Sequence, residues 1–211
     1  DALGGVPIAT KLMKDNKNNL KEIEINDKIT SELQHNRLSR HFLFSYKSFK
    51  CIKDNPNITN DNDLHGIIES NYYMCMNEMA HGDLKMLVTD MKILRDEDLL
   101  LNLACQCMIS IASFHKLGYI HKDCHWGNFL YHKTNDYGGY YHYIIDKKDY
   151  FLPACGYTIM IYDFGMAESR QDIVKSFRTP GQPNKYFVEK SIKDYRKRHN
   201  GCCKNSIGTR K

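Results

Sequence analysis

The side chains best suited to chemistry lie in two short segments, residues 121–128 and 162–165. Together these segments supply two carboxylates and one carboxamide, on Asp123, Asn128 and Asp163. Transfer of a phosphoryl group from Mg-ATP needs one carboxylate to orient the attacking hydroxyl, and a carboxamide with a second carboxylate to hold the metal ions. We therefore expect Asp123 to act on the hydroxyl, and Asn128 and Asp163 to bind Mg²⁺.

A zinc site is the alternative interpretation of this region, because histidine and cysteine are common zinc ligands at short spacings. Four of them lie close together here: His121, Cys124, His125 and His132. The chain has no C-x-x-C pair, although such pairs are typical of zinc motifs. A zinc site would also leave the neighbouring Asp123 and Asn128 without a role, so phosphoryl transfer is the preferred hypothesis.

Two predicted elements would position these residues. Residues 98–116 carry apolar side chains on a broad helical stripe, and Gly118 follows as a C-terminal stop. This helix would support the segment that contains Asp123. The apolar run 159–162 is typical of a strand and leads directly into Asp163.

The order H-K-D, then Asn five residues after that Asp, then D-F-G resembles the signature of eukaryotic-type protein kinases. The spelling with His125 and Trp126-Gly127 is similar to haspin and to the divergent kinases of large DNA viruses. This resemblance implies an α+β, two-lobed fold with a small β-rich N-lobe and a mainly helical C-lobe. We expect residues 1–77 to form a partial N-lobe, 78–84 the hinge and 85–211 a partial C-lobe, so that the two-lobed fold is truncated at both ends.

The resemblance also implies a phosphate-binding lysine. Residues 6–13 are typical of a strand and resemble the V-A-I-K strand of kinases, so Lys11 would hold the α- and β-phosphates of ATP. We expect an ion pair with Glu32, on a helix over about residues 27–38, to position Lys11. Glu22 and Glu24 are competing candidates for that ion pair.

The hinge is expected directly after the N-lobe strands. Residues 42–52 and 67–77 are typical of strands, and the segment Glu78-Met79-Ala80 that follows resembles the hinge whose backbone groups bind adenine. Asn77 would then stand at the gatekeeper position. By the same resemblance, Lys122 takes the place of an arginine that pairs with a phosphorylated residue. The candidates are Ser169, Ser176 and Thr179.

The kinase pattern is incomplete in this chain. Gly4-Gly5 do not make a G-x-G-x-x-G loop, and no A-P-E follows Asp163. The 34 residues between Asn128 and Asp163 also exceed a tight hairpin, which predicts an insertion at about 133–157. A pseudokinase or kinase-fold interaction module is therefore an alternative. A small-molecule phosphotransferase is a second one, because H-x-D-x-H-x-x-N also resembles the loop of aminoglycoside and choline kinases.

Composition limits the remaining classes. With 42% apolar and 26% charged residues, the 211-residue chain is typical of globular proteins and neither disordered nor fibrous. The chain has no run of about 18 apolar residues, so the sequence predicts no membrane span. The eight cysteines are scattered, which favours reduced thiols and an intracellular location, in cytoplasm or nucleus, or in the host cell or virion for a viral protein.

The expected partners are ATP, Mg²⁺ and a protein substrate. The net charge is +5, and basic residues are concentrated between 193 and 211. Nucleic-acid binding there is the less favoured interpretation, because no aromatic platform alternates with the final basic residues. A solvated basic tail explains the charge, and the sequence leaves the oligomeric state open.

Overall fold

The computed structural model describes residues 7–52, 71–145 and 147–171. The chain divides into two compact units, Asp1–Glu168 and Ser169–Lys211. Gly4-Gly5, the first residues of the predicted strand 67–77, and the basic tail lie outside the described residues.

The first sheet has three antiparallel strands in the order β1-β3-β2. The strands are β1 (Ile8–Lys14), β2 (Ser45–Cys51) and β3 (Tyr72–Glu78). Lys11 on β1 is opposite Cys75 on β3, so Lys11 lies on an edge strand of this sheet. The predicted strands are thus present, with boundaries shifted by a few residues.

Helix α1 (Lys17–Ile29) follows β1 and continues into a π-helical turn, Thr30–Gln34. It begins well before the predicted span 27–38, because the Asn16 side chain caps it by accepting from the Asn19 N–H at 2.9 Å. Leu33, one helical turn after Ile29, is buried in the same core cluster. The predicted start was therefore wrong: what was taken as the first turn is the last.

Within the described residues, the second half of the first unit holds further helices and a second antiparallel sheet, in the order β4-β6-β7. The elements of this half, in chain order, are β4 (Gly82–Asp83), α2 (Leu84–Leu87), α3 (Met91–Leu94), α4 (Glu97–Lys116), β5 (Tyr119–Ile120), β6 (Phe129–Ile145) and β7 (Lys148–Ile161). A two-residue strand, β8 (Glu168–Ser169), comes last. The described residues are mixed α+β, which confirms the predicted class.

Helix α4 is an internal support, as the sequence predicts. It starts one residue before the predicted span and is followed by Gly118 at φ 88°, the left-handed conformation that favours glycine. Phe114 of α4 is fully buried, and its ring centroid lies 4.9 Å from that of Phe164. The helix therefore packs directly under the D-F-G segment.

Helix α4 is also the one helix among the described residues that is long and apolar enough to cross a membrane. Its buried polar side chains form hydrogen bonds within the fold. Gln106 Nε2 donates to the Tyr157 carbonyl oxygen at 3.1 Å, and the Ile159 N–H donates to Gln106 Oε1 at 2.8 Å. These bonds attach α4 to β7, which agrees with the expectation of no membrane span.

The predicted insertion at 133–157 is part of a long β-hairpin formed by β6 and β7. One of its faces packs against the segment before β2. The Arg40 guanidinium lies 3.9 Å from the centre of the Tyr141 ring and donates to Thr158 Oγ1 at 3.0 Å. The hairpin is thus attached to the body of the fold.

His41 completes this attachment. Its side chain is fully buried, with Nδ1 2.6 Å from the Ile159 carbonyl oxygen and Nε2 3.0 Å from the Tyr143 hydroxyl. Burial lowers the pKa of His41 to about 4, although the bond to the Ile159 carbonyl opposes this shift. The ring is therefore neutral in the folded chain near neutral pH.

The depressed pKa of His41 predicts acid-sensitive stability. The unfolded chain binds the proton near pH 6.5 and the folded chain only near pH 4, so the stabilisation is complete above 6.5 and is lost as the pH falls towards 4. We expect the wild type to lose about 3 kcal/mol of unfolding free energy between pH 7 and 4 through this group. Urea titrations of the wild type and His41→Gln at both pH values measure the difference, and equal losses in the two proteins would contradict the prediction.

Candidate active site

The segment 121–128 is attached to the end of β7 through a buried histidine. His121 Nδ1 accepts from the Asp123 N–H at 3.3 Å, so the neutral ring carries its hydrogen on Nε2. Nε2 then donates to the Tyr162 carbonyl oxygen at 2.9 Å. Burial lowers the pKa of His121, which favours this neutral form. His121 therefore holds the two predicted catalytic segments together.

Asp123 and Asn128 meet at the centre of this segment. Asn128 Nδ2 donates to the Asp123 carbonyl oxygen at 2.9 Å and to Asp123 Oδ2 at 3.3 Å. Asn128 is buried, and its own carbonyl oxygen accepts from the Tyr162 N–H at 2.9 Å. The Asp123 side chain is 44% exposed, so a carboxylate accessible to solvent is fixed by a buried amide.

Lys11 joins the two carboxylates of a second cluster. Its Nζ atom donates to Glu22 Oε1 at 2.6 Å and to Asp163 Oδ1 at 3.1 Å. Burial disfavours the charged ammonium, but Glu22, Tyr162 and Asp163 outweigh it, and the pKa of Lys11 lies above its usual value. Lys11 is therefore a firmly protonated cation beside the D-F-G aspartate.

The predicted ion pair between Lys11 and Glu32 was wrong, because Glu22 occupies that place. Glu32 lies on the π-helical turn, 54% exposed, and its carboxylate is 3.8 Å from Lys28. The earlier start of α1 explains the change, since it brings buried Glu22 to the face that packs towards β2 and β3, within reach of Lys11 on β1. The Asn16 cap marks the start of α1, but the glutamate that reaches Lys11 follows from how the helix packs on the sheet.

Two residues of the site have left-handed backbone conformations, Lys122 at φ 68° and Asp163 at φ 62°. This region is uncommon for residues other than glycine and costs on the order of 1–3 kcal/mol. At Asp163 the conformation accompanies the contact with Lys11. Such strain is concentrated at functional sites, so both positions are consistent with a site.

Lys122 forms an ion pair inside the described residues. Its Nζ atom lies 2.5 Å from Glu168 Oε1, and both side chains are partly exposed. Of the three candidates, Ser176 and Thr179 lie outside the described residues, and Ser169 Oγ accepts from the Gln171 N–H at 3.2 Å. Pairing of Lys122 with a phosphorylated residue stays a prediction. In the described structure, Glu168 supplies the negative charge that such a phosphate would carry.

The predicted hinge borders the Lys11 cluster through Asn77. Asn77 is buried and its Nδ2 donates to the Tyr162 hydroxyl at 3.4 Å. The Glu78 carboxylate instead contributes to the fold, with Oε1 3.0 Å from His132 and Oε2 accepting from the Phe44 N–H at 3.1 Å. The hydrogen bond with His132 lowers the pKa of Glu78. Burial opposes this shift, and the bond from the Phe44 N–H adds to it. The Glu78 N–H also donates to the Phe44 carbonyl oxygen at 2.8 Å, so the side chain and the N–H of Glu78 both serve the fold.

Met79 and Ala80, the other two predicted hinge residues, form neither helix nor strand. The Met79 side chain is exposed. The chain resumes regular structure at β4, where the His81 N–H donates to the Tyr131 carbonyl oxygen at 2.9 Å. The segment is therefore an irregular link between the two sheets, and adenine binding by its backbone stays a prediction.

The zinc alternative has no support in the part of the chain that the structure describes. There, no three or more His, Cys, Asp or Glu side chains are grouped so that they could hold a metal ion. Two of the four proposed ligands are engaged elsewhere, His121 with Tyr162 and His132 with Glu78.

The sequence matches no protein-family model. The function must therefore be argued from the geometry of the two clusters.

Proposed function

We propose that the chain is an ATP- and Mg²⁺-dependent protein kinase that transfers the γ-phosphate to Ser or Thr hydroxyls. The observation that carries the proposal is the contact of Lys11 with both Glu22 and Asp163. Lys11 and Asp163 are 152 positions apart, so only the fold brings the ammonium to the D-F-G aspartate. In this proposal the β1-β3-β2 sheet with α1 is the N-lobe and the remaining elements belong to the C-lobe.

The side chains present fit Mg-ATP. Magnesium prefers oxygen ligands. Asp163 provides carboxylate oxygens, and its side chain is 46% exposed. Asn128 directs its Nδ2 to Asp123, which leaves Oδ1 as the amide oxygen for a cation. The Lys11 ammonium suits the phosphates of a nucleotide. When bound, the metal would neutralise charge on the β- and γ-phosphates.

In the proposed reaction, each residue of the site has its own role. Asp123 orients the acceptor hydroxyl and accepts its proton at Oδ1, because Oδ2 is held by Asn128. Glu22 keeps Lys11 in place beside Asp163. His121 keeps the two catalytic segments at a constant separation. Catalysis would depend on positioning and electrostatics rather than on a covalent intermediate.

Transfer of labelled γ-phosphate to a panel of acceptors tests the proposal. The panel contains a basic protein, Ser, Thr and Tyr peptides, and small alcohols including an aminoglycoside and choline. We expect label on Ser or Thr of protein and peptide acceptors, lost when EDTA removes Mg²⁺. Label on small alcohols alone would favour a small-molecule phosphotransferase, and nucleotide binding without any transfer would favour an interaction module.

A further inference from the structure

His125 lies between Asp123 and the 3₁₀ turn Trp126–Asn128, and its backbone is held on both sides. The His125 N–H donates to the Asp123 carbonyl oxygen at 2.9 Å, and the His125 carbonyl oxygen accepts from the Asn128 N–H at 2.9 Å. Its side chain is 55% exposed, so burial does not explain where the ring lies. The ring also makes polar contacts of its own on this partly exposed side.

One of these contacts decides which ring nitrogen carries the hydrogen. The Gly127 N–H donates to Nδ1 of His125 at 3.1 Å, which caps the turn. An accepting ring nitrogen carries no hydrogen, so the neutral ring has its hydrogen on Nε2. Nε2 lies 3.7 Å from Oδ2 of Asp123. That distance is too long for a hydrogen bond, but catalytic contacts are often long before the substrate binds and shorten afterwards.

Among the described residues, the side chains of Asn128 and His125 both approach the same carboxylate oxygen of Asp123. Oδ2 accepts from Asn128 Nδ2 at 3.3 Å and faces Nε2 of His125 at 3.7 Å. Oδ1 is then the oxygen that can meet an acceptor hydroxyl. We infer that His125 is a positioning residue that, together with Asn128, turns the Asp123 carboxylate so that Oδ1 meets the acceptor. This inference rests on the proposed phosphoryl transfer.

Glycine at position 127 leaves room for the His125 ring. A Cβ atom added to Gly127 would lie 3.1 Å from Cε1 and 3.2 Å from Nδ1 of that ring. These distances are shorter than the optimal separation of carbon atoms, so a side chain at 127 would push the ring outwards. Gly127 is therefore the sequence feature that lets the ring bridge the turn and Asp123.

Substitutions of His125 separate its two contacts. The Asn side chain can still accept from the Gly127 N–H but is too short to reach Asp123, whereas the longer Gln side chain can reach it. We expect His125→Asn to lower kcat roughly 10-fold with KM for ATP unchanged, and His125→Gln to recover most of the loss. Gly127→Ala should fall between the wild type and His125→Asn.

The chain offers a matched control on its hairpin. His142 Nε2 lies 2.6 Å from Oδ1 of Asp149, also between exposed side chains, and we expect His142→Asn to match the wild type. Equal losses in His125→Asn and His125→Gln, or a rise in KM for ATP alongside the fall in kcat, would assign His125 to the fold of the turn and overturn the inference. An unchanged kcat in His125→Asn would overturn it too. The wild-type rate in the same assay reports separately on the proposed function.

A second measurement does not depend on activity. Nitrogen NMR of the His125 ring should show the Nε2–H tautomer, and Asp123→Asn, which removes the charge beside Nε2, should shift the Nε2 resonance. The ring of His142 is the reference that should not respond. The inference would be overturned by an Nδ1–H tautomer, or by an Nε2 resonance that does not shift in Asp123→Asn. This outcome can be measured even if the chain shows no detectable phosphoryl transfer.

Discussion

Asp123→Asn is expected to lower kcat for phosphoryl transfer about 1,000-fold, the contribution typical of a well-placed general base. The substitution keeps the size of the side chain and an oxygen that can accept from Asn128 Nδ2. It removes the negative charge and the ability to take the acceptor proton. The loss should therefore appear in kcat, while KM for ATP and the thermal unfolding midpoint stay close to the wild-type values.

Asp149→Asn is the control for this prediction. Asp149 is an exposed carboxylate on the hairpin that also contacts a histidine, His142, so the same chemical change is made away from the site. We expect Asp149→Asn to retain wild-type transfer. A kcat for Asp123→Asn within about tenfold of the wild type would contradict the role of Asp123 as general base.

Glu22→Gln is expected to have the second largest effect, a roughly 10- to 100-fold loss of kcat/KM for ATP. Gln keeps the shape of Glu22 but loses the charge that holds Lys11 at 2.6 Å. Among the described residues, Lys11 would then keep only Asp163 as an anionic partner. Steady-state kinetics at varied ATP concentration measure the effect, which should be largest in KM because Lys11 is the residue that meets the phosphates.

Glu32→Gln makes the same change at the glutamate that the sequence alone favours. Glu32 is exposed and only 3.8 Å from Lys28, an (i, i+4) contact worth a few tenths of a kcal/mol, so we expect wild-type kinetics. The opposite result, with Glu32→Gln impaired and Glu22→Gln active, would mean that α1 uses another face in the working protein. Thermal unfolding of both variants separates such a change from simple loss of fold.

Local sequence was sufficient for part of this structure. The apolar stripe before Gly118 predicted α4 almost to the residue, because side-chain periodicity and a glycine stop are local signals. The chain between Asn128 and Asp163, which is longer than a tight hairpin requires, forms the long hairpin of β6 and β7, and its status as an insertion stays a prediction. The start of α1 could not be placed, since residues 14–28 are mostly polar and their burial depends on the sheet beneath them.

The sequence by itself determined which residue types stand together for chemistry. Asp123 and Asn128 are five positions apart, and within so short a segment the spacing of the side chains limits where they can be. Only the tertiary structure decided that Glu22, rather than Glu32, reaches Lys11, and that Lys11 meets Asp163. The physical reason is that contacts between distant segments follow from the burial of apolar surface by whole helices and sheets, and that burial is not encoded in any one segment.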